Sequence, residues 1–258
     1  MSKMINISHG HALPGGLGSG AVGYHDESLE TKAITELLVP MLNTHGVESH
    51  DCSCNKHIAQ YDCLKEIVAN HNKYKDEDLS VSLHLNYLDG KEKADGKNKG
   101  IEILVYSTSG SSYKIEVAKR ILKIFEDTGF TNRGIKERPD LMFLKSCNSP
   151  SLLIELYFCD DKDDVLLAEN FGRDGICRML AEGILDKQIR DICYGTKVRI
   201  RKRIKLRSSS KSDFECVGYL LKGDVVTILE TNKNCTRGKV AEGHWITLSA
   251  KCVEVVKK

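Results

Sequence analysis

The 258-residue chain has no run of about eighteen consecutive apolar residues, so no stretch reads as a membrane-spanning helix. Its net charge is small, with 38 Lys+Arg against 36 Asp+Glu, and favours no class of partner by itself. It has no internal repeat and no low-complexity segment. Apolar residues at 41% and charged residues at 29% exclude a disordered or collagen-like chain. The start, Met1-Ser-Lys-Met-Ile-Asn-Ile-Ser8, lacks the apolar segment and small-residue cleavage site of a secretory signal peptide. Ten cysteines are present without a paired framework, which predicts free thiols. The densest group, Cys52, Cys54, His57 and Cys63, lacks ordinary zinc-finger spacing and reads as thiols in a polar stretch.

What is present is uneven. From Tyr194 onward there are 15 basic and 6 acidic residues, a net of +9, whereas the preceding part carries −7. That asymmetry predicts two units with different partners and makes a polyanion a natural target for the second. Few aromatics and no RNA-binding signature disfavour nucleic acid.

Up to about residue 190 the pattern alternates strand and helix. Strands are expected at Met4–Ser8, Leu79–Leu85, Gly100–Tyr106, Leu141–Leu144 and Leu152–Phe158. A Gly-rich loop, Gly10 to Gly23, precedes a helix with Asp26 as N-cap, Glu27 and Glu30 in its first turn, and Gly46 as its stop. Leu29, Ala33, Leu37 and Met41, with Ile34, Leu38 and Leu42 beside them, supply its apolar stripe, and Pro40 predicts a kink. Further helices are expected at His57–Asn70, Tyr113–Thr128 and Asp160–Lys187. This order predicts an α/β fold, a mainly parallel twisted sheet flanked by helices, over residues 1–188. Short β-type pieces follow at Lys197–Ile204, Val217–Leu221, Val225–Leu229, His244–Leu248 and Val253–Val256, predicting a small β-barrel over 194–258.

Four residues stand at or just past expected strand ends, where an α/β domain places its site: His11, Glu27, His84 and Glu155. Glu155 is a lone carboxylate in an apolar run, which requires pairing, protonation or a metal. Two imidazoles and a carboxylate suit a hydrolytic zinc ion, and a second carboxylate suits proton transfer. The residue types alone leave open a satisfied strand histidine at 84, a helix-terminus role for Glu27 and a buried ion pair for Glu155. Asn86 is a candidate for orienting substrate or for closing a turn, and Arg138 for an acidic peptide or an exposed ion pair. The glycines at 15–23 lack the P-loop ending and read as a flexible rim.

Five segments in order carry a resemblance: Ile7-Ser-His-Gly-His11, Glu27 at a helix start, Ser82-Leu-His-Leu-Asn86, Gly100-Ile-Glu-Ile-Leu-Val-Tyr106 and Leu153-Ile-Glu-Leu-Tyr-Phe158. Together they resemble the zinc-dependent N-acetylmuramoyl-L-alanine amidases of the amidase-3 type, found in bacterial autolysins and phage endolysins, over residues 4 to 188. The resemblance implies a zinc ion (Zn2+) held by His11, Glu27 and His84, with Glu155 as catalytic carboxylate. The family usually has Asp and Pro before its Gly-His pair, where this chain has Ser8 and His9. His9 is thus a rival to His11, and Glu30 a rival to Glu27.

Val198 to Ser210 and Gly218 to Leu229 resemble bacterial SH3-type cell-wall-binding domains, over roughly 194 to 258. Tyr219 and the single Trp, Trp245, are candidates there for ligand contact or core packing. The implied protein is a peptidoglycan hydrolase of the endolysin or autolysin kind, made in the cytoplasm and acting at the bacterial cell wall, with a wall polymer as the second unit's partner. The rival readings are a non-catalytic wall- or polyanion-binding protein and a zinc peptidase cutting within the stem peptide.

Overall fold

The computed structural model describes residues 4–74, 78–187, 189, 196–210, 215–231, 237–248 and 252–256. The chain divides into two compact units, Met1–Gln188 and Ile189–Lys258. The expected boundary, 188–194, lies outside the described residues apart from Ile189.

In the first unit, β1 (Ile5–His9), β2 (Leu79–Asn86), β3 (Ile101–Val105), β4 (Asn132–Glu137) and β5 (Ser151–Phe158) form one sheet in the order β1-β2-β5-β3-β4. All neighbouring pairs are parallel except β3 with β5. β2 and β5 are buried along almost their whole length, as central strands covered on both faces must be. The helices are α1 (Glu27–Thr44), α2 (Gln60–His71), α3 (Ser112–Asp127), α4 (Met142–Ser146) and α5 (Lys162–Leu185). α5 packs against α1 and α3. α2 and α4 cover Leu104 and Leu153 through Cys63, Ile67, Phe143 and Leu144.

Several elements depart from expectation. The buried stripe of α1 is Thr31, Ile34, Thr35, Leu38 and Leu42, whereas Leu29 and Leu37 are exposed. α1 is continuous through Pro40. Its ends are as expected: Asp26 accepts the Leu29 N–H at 3.1 Å, and Gly46 takes a positive φ of 86°. Residues 141–144 start a helix rather than a strand, with Leu141 as its N-cap. β4 has no counterpart in the expected list because it is polar and largely exposed, as an edge strand is allowed to be. α5 contains one break, at Gly172, where φ is 64°.

In the second unit β6 (Lys197–Ile200), β7 (Ile204–Arg207), β8 (Cys216–Leu220), β9 (Val225–Thr227), β10 (Glu230–Thr231), β11 (Arg237–Ala241), β12 (His244–Thr247) and β13 (Val253–Val255) form two small antiparallel sheets, β10-β11-β12-β7-β8 and β13-β6-β9. The segment 197–204, expected as one strand, is divided between the two sheets. Val198, Ile200, Ile204, Ile228, Ile246, Leu248 and Val253 make its core. Trp245 is half-buried and Tyr219 exposed. Among the described residues no helix is long and apolar enough to cross a membrane.

Candidate metal centre

β1 ends against β2, where the Gly10 N–H donates to the Leu83 carbonyl at 3.0 Å. Glycine at position 10 lets the His84 ring lie against the backbone, because a Cβ there would stand 1.8 Å from its Nε2. One residue on, His11 Nε2 lies 3.1 Å from Glu27 Oε1. His84 Nδ1, reaching from β2, lies 3.1 Å from the same oxygen. The two imidazole rings meet edge to face with centroids 4.9 Å apart.

Glu27 is fixed by the backbone around it. Its Oε1 accepts the Leu85 N–H at 3.0 Å and its Oε2 accepts the Ala21 N–H at 3.0 Å. Of the expected rim, Gly15 and Leu17 are exposed, whereas Gly20 and Gly23 are closely packed. A Cβ on Gly20 would come 2.5 Å from Glu27 Oε2, and one on Gly23 would come 2.3 Å from the Cys159 carbonyl oxygen. Burial opposes ionisation of Glu27, but the hydrogen bonds and charges of His11 and His84 outweigh it and hold the carboxyl well below the usual range. Burial also lowers the His84 pKa, against the pull of Glu27. A neutral imidazole keeps a lone pair for a metal.

One donor atom each from His11, Glu27 and His84 lies within 4.8 Å of the others. The chemistry of the set fits zinc: two nitrogens and one oxygen, leaving a fourth position for water. The two 3.1 Å separations are close to the edge of a tetrahedron with zinc–ligand bonds of about 2.0–2.1 Å. His9 is outside this set. It is buried in β1, with Nε2 3.4 Å from Asn55 Oδ1. Glu30 is outside it too, paired through both oxygens with Arg173 at 2.7 and 2.9 Å. Among the described residues no group including Cys52, Cys54, His57 and Cys63 has metal-binding geometry. Its three cysteines are buried and His57 is exposed.

Glu155 stands next to the triad. It is in register with His84 across the parallel β2–β5 pair and with Glu102 across the antiparallel β5–β3 pair. Its Oε2 is buried and has no hydrogen-bond partner among the described residues. Burial, reinforced by the carboxylates of Glu27 and Glu102, pushes its pKa well above the usual carboxylate value, with Arg138 opposing. Just past it the β2–β5 register slips, from His84↔Glu155 to Asn86↔Phe158, so Leu156 and Tyr157 together oppose Leu85.

Glu102 is the feature that reading the sequence missed. Its Oε2 accepts from Arg133 Nε at 2.6 Å and Lys136 Nζ at 2.5 Å, and its Oε1 accepts from Asn86 Nδ2 at 3.0 Å. The signal available was a lone acid in the apolar run Ile101-Glu-Ile-Leu-Val105. Asn86 thus donates to a carboxylate through Nδ2, while its Oδ1 accepts the Tyr87 N–H at 3.0 Å. Arg138 follows a strand rather than preceding one, and makes an exposed bidentate pair with Asp140 at 2.7 and 2.9 Å.

The fold and the site can be set beside known proteins. The amidase-3 family model, described as N-acetylmuramoyl-L-alanine amidase, matches residues 4–186. The catalytic domain of the CD27L endolysin targeting Clostridia difficile is 30% identical, with a TM-score of 0.63 over 73% of this chain and 99% of that one. An uncharacterised protein of Clostridium perfringens is 25% identical over 81% of the chain, and the endolysin of Bacillus phage SPP1 is 27% identical over 71%. The chain spans 65% and 64% of the lengths of these two relatives. By the extent of the family match and the likeness to the endolysin domain, the chain belongs to the N-acetylmuramoyl-L-alanine amidase family.

Proposed function

We propose that the chain is a zinc-dependent peptidoglycan hydrolase that cuts the amide between N-acetylmuramic acid and L-alanine of the stem peptide. The observation that carries this reading is the convergence of His11, Glu27 and His84 beside the unpartnered Oε2 of Glu155. His11, Glu27 and His84 hold the ion. When bound, zinc polarises the scissile carbonyl and lowers the pKa of an attacking water. Glu155 accepts that water's proton at its buried carboxyl and returns it to the departing amine nitrogen. Burial favours its protonated form, which suits the donating step. Family membership and the endolysin relatives support the substrate class.

The second unit, on this reading, is an SH3-like module that holds the enzyme on an anionic wall polymer, so that it works at the bacterial cell wall in the manner of an endolysin. Supporting this, Arg199 and Arg201 pair with Glu254, whereas Arg203 and Lys205 have no ion-pair partner among the described residues. Arg203 stacks on the exposed Tyr219 at 3.8 Å, and Lys205 is in register with Tyr219.

The test is mass spectrometry of purified peptidoglycan digested with and without a chelator. The expected products are whole stem peptides with new L-alanine N-termini, abolished by the chelator. Cuts inside the stem peptide would indicate a peptidase, and intact walls with zinc bound would indicate a binding protein.

A further inference from the structure

The Glu102 network has more positive charge than its own balance needs. One buried carboxylate faces two cations, Arg133 and Lys136, leaving a surplus of one positive charge at Glu102, the register neighbour of Glu155. The cations are brought together by a specific backbone device. The β3–β4 register advances from Ile101↔Asn132 to Ile103↔Ile135, so β4 spends three residues against two. Gly134 absorbs this bulge at a φ of 81°, and its N–H donates to Asn132 Oδ1 at 3.0 Å. Positions 133 and 136, three apart, thereby both reach Glu102. Arg133 is further fixed by the Phe158 ring, 4.9 Å away.

Charges that only guard an edge strand against pairing need no inward partner. These two are anchored inward on a buried acid, yet their side chains keep 34% and 44% of their exposure, leaving donors open to solvent. Arg138, whose charge also acts on Glu155, is held at the surface by Asp140 and is not part of the Glu102 network. The sheet order supplies a direction. The triad comes from just past β1, from β2 and from the start of α1, Glu155 from the central β5, and the cations from β4 at the opposite edge.

We propose that Arg133 and Lys136 bind a carboxylate of the stem peptide, so that the peptide half of the substrate lies over β3 and β4 and the glycan half lies toward β1. This rests on the amidase reading above. An Arg and a Lys held side by side suit a carboxylate through charge-assisted hydrogen bonds. The arrangement fixes the scissile amide over Glu155 with its leaving nitrogen on the β3 side.

The experiment compares two soluble N-acetylmuramoyl-L-alanyl peptides, one whose second residue has a free carboxylate and one in which it is a carboxamide. The full chain is expected to prefer the free acid by about tenfold in kcat/KM, mostly through KM. Lys136→Ala, at a half-exposed position, is expected to reduce that preference to about twofold while its zinc content stays at the wild-type level, and Lys136→Arg to restore it. Equal cleavage of both peptides by the wild type, or full preference retained by Lys136→Ala and Arg133→Ala, overturns this inference alone. A wild type that cleaves neither peptide overturns the amidase reading and this inference with it.

Discussion

His84 and Glu155 are direct neighbours, paired in register on adjacent parallel strands at the centre of the sheet. One turns a ring nitrogen to Glu27, and the other leaves a carboxyl oxygen buried and unpartnered. The strand ladder itself therefore sets the spacing between a proposed metal ligand and the proposed proton carrier. Neither depends on a mobile loop for its position.

Under the proposed assignment, binding is separate from chemistry. Glu27→Ala and His84→Ala are expected to lose bound zinc and activity together. Glu155→Ala is expected to keep zinc and lose about 10²–10⁴ in rate. Metal analysis alongside release of L-alanine N-termini measures both. Loss of zinc in Glu155→Ala with zinc retained in Glu27→Ala would reverse the assignment.

Glu30 lies one turn from Glu27 and has a different role. Its pairing with Arg173 at the surface predicts that Glu30→Ala costs about 1 kcal/mol of stability and leaves zinc stoichiometry intact. Thermal unfolding and metal content together check this. Zinc loss in this variant would move the ligand to Glu30.

Gly10→Ala tests the packing of the site without touching a donor atom. The new methyl group would overlap the His84 ring, within 1.8 Å of Nε2 and 1.9 Å of Cε1. The ring must turn, and zinc affinity is expected to fall by about 10–100-fold, as for disturbed orienting contacts. A competition titration with a chromophoric chelator reads this, and unchanged affinity would show that the ring has room to move.

Asp164 sets a pH signature. It is fully buried, and its carboxylate accepts the N–H groups of Gly100 and Phe158 at 3.0–3.1 Å. Burial, larger than the effect of these hydrogen bonds, raises its pKa from 3.8 to about 6. The folded state therefore keeps a proton that the unfolded state releases first. Its contribution to stability is fully present below about pH 3.8 and is lost as the pH rises through about 6. The unfolding free energy of the wild type, measured relative to Asp164→Asn, is expected to fall by about 3 kcal/mol across that window. A constant difference between the two chains from pH 3.5 to 7, where ~3.5 and ~7 bracket both pKa values, would contradict it.

Wall attachment is checked by co-sedimentation. The full chain with Arg203→Ala and Lys205→Ala is expected to pellet less with purified walls and to show a shallower salt dependence, since two charges are removed. Binding equal to wild type at low salt would place the contact elsewhere.

The candidate site was legible to different degrees. Glu155 stood out as a lone acid in an apolar strand, and Asp26 and Gly46 marked the ends of α1 because caps are written in local chemistry. The choice of His11 over His9 was not legible from strand alternation, since both positions have the same parity. It is decided by β1 ending at His9, which leaves residue 11 free to reach Glu27. β4 escaped notice because an exposed edge strand lacks the apolar pattern that reveals a buried one. Residues 141–144 look like a strand because four apolar residues are too few to show a period.

The sequence by itself determined the alternation of strand and helix, the change of texture near residue 190, and the residue types that can hold a metal and move a proton, because these follow from local periodicity and side-chain chemistry. Only the tertiary structure decided which of those residues meet. Register between β2 and β5 set His84 beside Glu155, the glycine at position 10 made room for the ring, and the bulge in β4 turned two cations onto Glu102. Each is a contact between segments distant in the chain, fixed by backbone pairing and close packing, which local sequence patterns do not encode.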